Sequence, residues 1–326
     1  MEDRKTRFQY IDVHTHVNLS AYDEDREAVE ERTLVEGVAH INVGTQKDTS
    51  RKAVELANFY TEQGRLSHIQ GDKERGGEAY IQYDERLSDV DNEVDEAVSP
   101  VLGGVYATVG LHPVHTSKSY HDPQEFTGME KGFVSRGEKF DIEHYRTLAQ
   151  HEKVVAIGEC GLDYFRVEKE TKAVQEEAFI GQIALANELE KPLMLHIRPS
   201  DGRMDAYEDA ITILKREAKV LGNVHFFAGT YEVAKQFWEM GYTTSFTGVI
   251  TFASQYDEVV KNAPLEMLHA ETDAPYVTPK PFRGQRNEPL HVREVYKRIA
   301  ELRGEEAETV RLALLQNAQR LFHVSV

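Results

Sequence analysis

The feature that most constrains the fold is an alternation of short apolar runs with longer amphipathic patterns along the whole chain. Eight runs have the length and the β-branched or aromatic content of strands. They are YIDVHTHV (10 to 17), VAHINVG (38 to 44), VYATVGL (105 to 111), VVAIGEC (154 to 160), LMLHI (193 to 197), VHFFA (224 to 228), TTSFTG (243 to 248) and LHAETD (268 to 273). Helical patterns such as AVQEEAFIGQIALANELE follow them. Eight strand and helix units predict an α/β fold, a (β/α)₈ TIM-type barrel.

The length of 326 residues fits one such barrel with room to spare. A barrel of this kind needs about 250 residues. The excess falls into two segments beside the third strand, at about 64–104 and 116–141. We interpret 1–326 as a single barrel domain with two insertions, which are either solvated loops or a lid over the barrel mouth.

Composition excludes several classes of protein. The single cysteine, Cys160, rules out an intramolecular disulfide and a cysteine-cluster metal site. The charged start MEDRKTRF lacks a secretory apolar region, and no run approaches a membrane span, so a cytoplasmic location is expected. A formal charge of −18 argues against a simple cationic clamp for nucleic acid. Divalent cations bound by some of the acids could still receive a phosphate.

The first strand carries Asp12, His14 and His16 at a spacing of two, which places all three side chains on one face. The two imidazoles lie at the carboxyl end of the strand. Neutral imidazole is a preferred ligand for zinc and related ions, so this pair is a candidate metal site.

Other strands carry residues of the same chemistry near the carboxyl-terminal loops, three at their ends and His225 at the start of the sixth. Glu159 lies in GECGLDY, His196 in LHIR, His225 in VHFFAG and Asp273 in ETDAPY. The carboxyl ends of barrel strands form one face, where barrel enzymes build their active sites. Four imidazoles and two carboxylates suffice for two divalent ions that share a carboxylate, about 3.5 to 4 Å apart. We therefore predict a metal site at the C-terminal mouth of the barrel.

The motifs ID.HTH, GLHP, GECGLDY, LHIR, VHFFAG, ETDAPY and PFRGQRNEP, in this order, resemble the TatD family of metal-dependent deoxyribonucleases, which have amidohydrolase-like barrels. The resemblance implies divalent metals and hydrolysis of DNA phosphodiesters, usually from the 3′ end. It implies that one ion is held by His14, His16, Glu159 and Asp273. The second ion would be held by Glu159, His196 and His225, and Asp273 would also act as general base.

The sequence departs from the family pattern at two places near these motifs. Many members have a histidine directly after GLHP, where this chain has Val114 and places His115 one residue later. The cysteine that often follows the strand-six histidine is Phe226 here. The first departure affects a phosphate contact, whereas the second touches no ligand position.

Several further residues are candidates for binding substrate or orienting ligands. The predicted substrate contacts are His112, Arg198, Arg283 and Arg286. Arginine matches phosphate oxygens in bidentate geometry, although Arg286 could instead pair with Glu288 and lock its own loop. Asp163, Tyr164 and Glu271 are expected to orient ligands or to have structural roles.

We predict an enzyme with up to two divalent ions (Mg²⁺, Mn²⁺ or Zn²⁺) that hydrolyses DNA, with single-stranded or frayed 3′ ends as substrate. Glu159 and Asp273 are the predicted catalytic residues. One alternative is a small-molecule amidohydrolase or an aminoacyl-tRNA deacylase on the same metal site, because a fold does not fix a substrate. The other is a binding protein on an inactive barrel.

Overall fold

The (β/α)₈ barrel predicted from the sequence is confirmed. The computed structural model describes residues 8–61, 103–118, 120–121, 133–135, 137–165 and 169–326. Eight parallel strands form one sheet in chain order and close almost completely into a barrel. The strands are β1 (Tyr10–Thr15), β2 (Val38–Val43), β3 (Val105–Val109), β4 (Val154–Asp163), β5 (Leu193–Arg198), β6 (Gly222–Val224), β7 (Thr243–Phe246) and β8 (Leu268–Ala270).

Helices cover the outside of this sheet. In the described ranges they are α1 (Arg26–Val35), α2 (Lys47–Phe59), α3 (Ile142–Ala149), α4 (Lys169–Leu189), α5 (Asp205–Glu217), α6 (Tyr231–Glu239), α7 (Asp257–Asn262), α8 (Val292–Arg303) and α9 (Ala307–Phe322). Polar caps fix helix starts: Asp141 accepts from His144 N before α3, and Thr230 accepts from Val233 N before α6. Helix α8 ends at Gly304, whose φ of 65° suits glycine.

The core lies between the strands and the helices. Every residue of β2, β3 and β4 is buried, as expected for parallel strands that are covered on both faces. Apolar side chains of the helices, such as Phe179 of α4 and Phe237 of α6, are fully buried against the sheet. This packing leaves the carboxyl ends of the strands together at one face.

Strands β1 and β8 meet at the seam where the barrel closes. Asp273 N donates to His14 O over 2.9 Å, and His16 N donates to Ala274 O over 2.8 Å. The buried carboxylate of Asp12 spans the same seam, because it accepts from Thr272 N at 2.9 Å and from His14 N at 3.2 Å. The ends of these two strands are therefore held in fixed register.

The two predicted insertions lie largely outside the described residues. Of 64–104, only 103 and 104 are described. Of 116–141, the described parts include a short antiparallel pair, Tyr120–His121 with Phe133–Val134. The roles of both segments and the single-domain interpretation stay predictions. Within the described ranges, no helix is long and apolar enough to cross a membrane.

Candidate metal centre at the barrel mouth

The structure brings the six predicted ligand residues together at the carboxyl ends of their strands. His14 and His16 extend from β1, and their Nε2 atoms lie 3.1 Å apart. Asp273 follows β8 and places Oδ1 3.4 Å from His16 Nε2 and 3.8 Å from His14 Nε2. Asp273 has a left-handed φ of 53°, so the chain turns sharply at this residue. That turn points its carboxylate at the two imidazoles.

Glu159 lies at the middle of the cluster on β4, between two glycines. Gly161 has a φ of 140°, and a Cβ atom there would collide with the carbonyl oxygen of His196. Gly158, with a φ of 147°, is equally confined against Met194 of β5. The glycines of GECG therefore let β4 approach β5 closely, which brings Glu159 near His196.

The two carboxylate oxygens of Glu159 face two different groups of imidazoles. Oε2 lies 3.6 Å from His14 Nε2 and 3.7 Å from His16 Nε2. Oε1 lies 2.9 Å from His196 Nδ1 and 2.9 Å from His225 Nε2. A carboxylate in this position can bridge two cations, one on each side.

The far nitrogen of three imidazoles contacts an acceptor. His16 Nδ1 lies 3.0 Å from Val43 O, and His196 Nε2 lies 2.9 Å from Asp163 Oδ2. His225 Nδ1 lies 3.3 Å from Glu271 Oε1. In a neutral ring, the nitrogen that donates to such an acceptor carries the proton, so the other nitrogen keeps its lone pair. For His16 and His196 the lone pair therefore faces Glu159, as a metal ligand requires. By contrast, His225 Nδ1 lies near Glu271 without a hydrogen bond to any described residue.

His112 is oriented in the opposite way. Its Nδ1 accepts a hydrogen bond from Val114 N at 3.1 Å, so the neutral ring carries its proton on Nε2. This Nε2 lies 3.2 Å from Glu159 Oε1. His112 is therefore a hydrogen-bond donor into the site, although it lies close enough to Glu159 and His196 to form a compact group with them.

The carboxylates of the cluster stabilise positive charge beside them. Burial lowers the pKa of an imidazole, but the carboxylates of Asp273, Asp163 and Glu159 have the opposite effect. They raise the pKa of His16, His196 and His225 above the usual value. Bound cations would therefore replace protons on these rings.

Burial alone raises the pKa of the Glu159 carboxyl, but the facing imidazoles of His112 and His225 hold that pKa well below its usual value. Burial lowers the pKa of His14 well below its usual value, and His225, stacked on it at 3.7 Å, adds to the effect. An ionised carboxylate and a neutral imidazole are the forms that bind metals.

The donor set therefore fits divalent metal ions. One compact group of donor atoms, all within 4.8 Å of one another, comprises His14, His16 and Glu159. On the other side, His196 Nδ1 and His225 Nε2 lie 3.3 Å apart and both face Glu159. Mixed imidazole and carboxylate ligands suit ions such as Zn²⁺ and Mn²⁺.

The three predicted arginine contacts differ in how they are held. Arg198 ends β5, and its guanidinium lies 3.8 Å over the Phe165 ring. The exposed Arg283 lies 4.2 Å over the Phe252 ring and donates to Thr278 O.

Arg286 is already paired with an acid. It donates to both oxygens of Asp25, at 2.8 and 2.6 Å, and also to Ala21 O. Its partner Glu288 is 3.5 Å away and forms a tighter pair with Arg32, at 2.6 Å. These contacts join the loop after β8 to the segment before α1. The substrate contact predicted for Arg286 stays a prediction.

Tyr276 and two buried amides, Gln175 and Asn287, were not predicted from the sequence. Tyr276 lies beside the cluster, because its ring centre is 6.4 Å from that of His16. Burial raises the pKa of Tyr276, with smaller contributions from Asp273 and Glu159. Its place in ETDAPY, three residues after Asp273, could have indicated it. No sequence signal marked the amides.

The barrel and its cluster of imidazoles and carboxylates define a metal-dependent hydrolase. The chain belongs to the TatD family, since the profile described as TatD related DNase matches residues 60–323. A Bacillus subtilis relative described as the uncharacterized metal-dependent hydrolase YabD is 36% identical over 320 residues, covering 97% of this chain and 99% of its own.

Solved structures agree with this assignment. The TatD homologue YjjV of Escherichia coli is 27% identical, with a TM-score of 0.69, covering 98% of this chain and 99% of its own. A lactonase of Listeria monocytogenes has a TM-score of 0.54 at 15% identity, covering 97% of this chain and 95% of its own. The lactonase likeness concerns the fold alone.

Proposed function

We propose that the protein hydrolyses phosphodiester bonds in DNA at a two-metal site, acting from the 3′ end of single-stranded or frayed substrates. The proposal rests on one observation: the two carboxylate oxygens of Glu159 face two separate groups of imidazoles. Two-metal sites of this kind suit the displacement of an oxygen at phosphorus. Membership of a family described as DNases supports DNA as the substrate.

The proposed ligands divide between two subsites. The first subsite comprises His14, His16, Glu159 and Asp273, and the second comprises Glu159, His196 and His225. Ions held by these residues would lower the pKa of water and would neutralise charge that develops on the phosphate. Zn²⁺ and Mn²⁺ suit the imidazole-rich donor set, and Mg²⁺ is the third candidate.

Asp273 is the proposed acceptor of the proton of the attacking water. It is 9% exposed, whereas Glu159 is 3% exposed, so water reaches Asp273 more easily. The sharp turn at Asp273 and the bond from its amide to His14 O hold the carboxylate beside the first subsite. A fixed carboxylate of this kind serves as general base without reorganisation.

Two groups near the cluster are the proposed phosphate contacts. The Nε2–H group of His112 points into the cluster, where it contacts Glu159. The same group can donate its hydrogen bond to a phosphate oxygen of the substrate instead. Arg198 lies at the end of β5, where Asp163 is its register partner on β4, and can neutralise charge on a non-bridging oxygen. Arg283, in the loop after β8, would contact a phosphate further along the DNA strand.

The test is a matrix of metals against substrates. Metal-free protein is loaded with Mg²⁺, Mn²⁺ or Zn²⁺ and assayed on single-stranded DNA, duplex DNA, RNA and a chromogenic phosphodiester. A Glu159→Gln variant is the control for a contaminating nuclease. The proposal predicts release of mononucleotides from the 3′ end of single-stranded DNA. Cleavage of a lactone, an amide or an aminoacyl ester without any nuclease activity would support the alternative hydrolase instead.

A further inference from the structure

Two buried side-chain amides lie next to the proposed metal site without entering it. Asn287 and Gln175 are 0% and 1% exposed. Each amide hydrogen-bonds main-chain groups of a segment that carries a site residue. Buried amides that use their donors and acceptors on the main chain fix the position of that segment.

Asn287 holds the turn that carries Asp273. Its Nδ2 donates to Thr272 O at 3.0 Å and to Tyr276 O at 2.6 Å, one on each side of Asp273. Its Oδ1 accepts from His291 Nδ1 at 3.0 Å, which fixes the orientation of the amide. The turn has little freedom because both of its ends are tied to one side chain.

Gln175 of α4 holds the end of β4 in a similar way. Its Oε1 accepts from Asp163 N at 2.8 Å, and its Nε2 donates to Asp163 O at 2.8 Å. The carboxylate of Asp163 contacts His196 Nε2, and His196 Nδ1 contacts Glu159. Gln175 is therefore connected to the second subsite through Asp163 and His196.

We propose that Asn287 and Gln175 are positioning residues that act on different metal subsites. Asn287 sets the first subsite through the Asp273 turn, and Gln175 sets the second through Asp163 and His196. The inference rests on the proposed two-metal function. It adds that the affinities of the two subsites are controlled separately, by amides that touch neither ion.

Asn317 provides a matched control at the opposite end of β8. It is 2% exposed, and its Nδ2 donates to Leu265 O and to Leu268 O, both at 2.8 Å. The chemistry of this amide equals that of Asn287, but the strand end that it holds carries no site residue. Substitution of Asn317 therefore measures how much stability the fold loses when a buried amide is removed away from the site.

The experiment measures stepwise binding of Mn²⁺ to metal-free protein by calorimetry. The variants are Asn287→Leu, Gln175→Met and Asn317→Leu. The His14→Ala/His16→Ala and His225→Ala variants identify which binding step belongs to which subsite. Loss of a residue that orients a metal ligand typically weakens binding by about 10- to 100-fold.

We expect Asn287→Leu to bind Mn²⁺ at least tenfold more weakly at the first subsite, and Gln175→Met to bind it at least tenfold more weakly at the second. Asn317→Leu should show neither change. If Asn287→Leu does not fold, Asn287→Asp keeps the acceptor and removes the two donated bonds. An equal loss of Mn²⁺ affinity at both subsites, no loss of affinity, or the same loss in Asn317→Leu would overturn this inference but not the proposed function. A wild-type protein that binds no Mn²⁺ would overturn the proposed function as well.

Discussion

The main-chain amide of Asp273 donates a hydrogen bond to the carbonyl oxygen of His14 over 2.9 Å. This bond joins the first and last strands of the barrel at their carboxyl ends. The segments with His14, His16 and Asp273 therefore form one rigid unit, although they come from opposite ends of the chain. The proposed first subsite depends on closure of the barrel.

Removing the two β1 imidazoles should empty one subsite. The double variant His14→Ala/His16→Ala is expected to bind one divalent ion fewer per chain than wild type, since Glu159 and Asp273 alone leave too few ligands on that side. Elemental analysis measures the metal content. The exposed His323→Asn variant is the control, and equal metal in all three proteins would contradict the ligand assignment.

Asp273→Asn should separate catalysis from metal binding. The amide keeps an oxygen for the metal but cannot accept a proton from water at neutral pH. Loss of a general base typically costs about 10² to 10⁴ in rate, so we expect hydrolysis of DNA at least about a hundredfold slower. The rate is measured at saturating Mn²⁺, where weaker metal binding no longer matters. Turnover near that of wild type would exclude Asp273 as the base.

Arg283 and Arg286 lie in the same loop but should respond differently to the same substitution. Arg283→Gln is expected to weaken DNA binding and to reduce its salt dependence, because a phosphate contact is lost. Arg286→Gln should mainly lower the free energy of unfolding, by about 1 kcal/mol, through loss of the pair with Asp25. Filter binding and urea unfolding measure these effects. Weaker DNA binding in Arg286→Gln, combined with tighter binding in Asp25→Asn, would instead identify Arg286 as a phosphate contact.

His269 should make the protein sensitive to acid. It is 0% exposed, and burial lowers its pKa to about 3, with a smaller effect of Arg320. Below a pH of about 6.5, the unfolded chain binds a proton at this residue that the folded chain does not bind. The free energy of unfolding therefore falls as the pH decreases from there towards the lowered pKa. Between pH 7 and 5, wild type should lose about 2 kcal/mol more than His269→Leu. Urea unfolding at both pH values measures this, and equal losses would show that another group controls the acid sensitivity.

The sequence predicted the barrel because strand and helix patterns are local. The same periodicity indicated which side chains would gather at the barrel mouth, whereas their role as metal ligands stays a prediction. A spacing of two on a strand places His14 and His16 on one face regardless of the rest of the fold. Strand β6 was placed too late in the chain: it ends at Val224, and the chain turns at Phe226, whose φ is 43°. The predicted boundary placed His225 at the start of the strand, whereas the structure places it directly after the strand's carboxyl end, at the barrel mouth.

The contacts that orient the ligands could not be predicted from the sequence. The proton position on His16 depends on Val43 O of a neighbouring strand, and that of His112 depends on a turn. The pairing of Arg286 with Asp25 joins opposite ends of the chain. Periodicity describes which face a residue occupies, but it carries no information on such partners.

A requirement of catalysis for both subsites around Glu159 is the main prediction of the proposed function. It is tested most directly by titrating metal-free protein with Mn²⁺ and measuring nucleotide release from 3′-labelled single-stranded DNA against the number of ions bound per chain. We predict that activity stays low until the first equivalent is bound and rises in proportion to the second. Full activity at one ion per chain, or no DNA hydrolysis with two ions bound, would contradict the account.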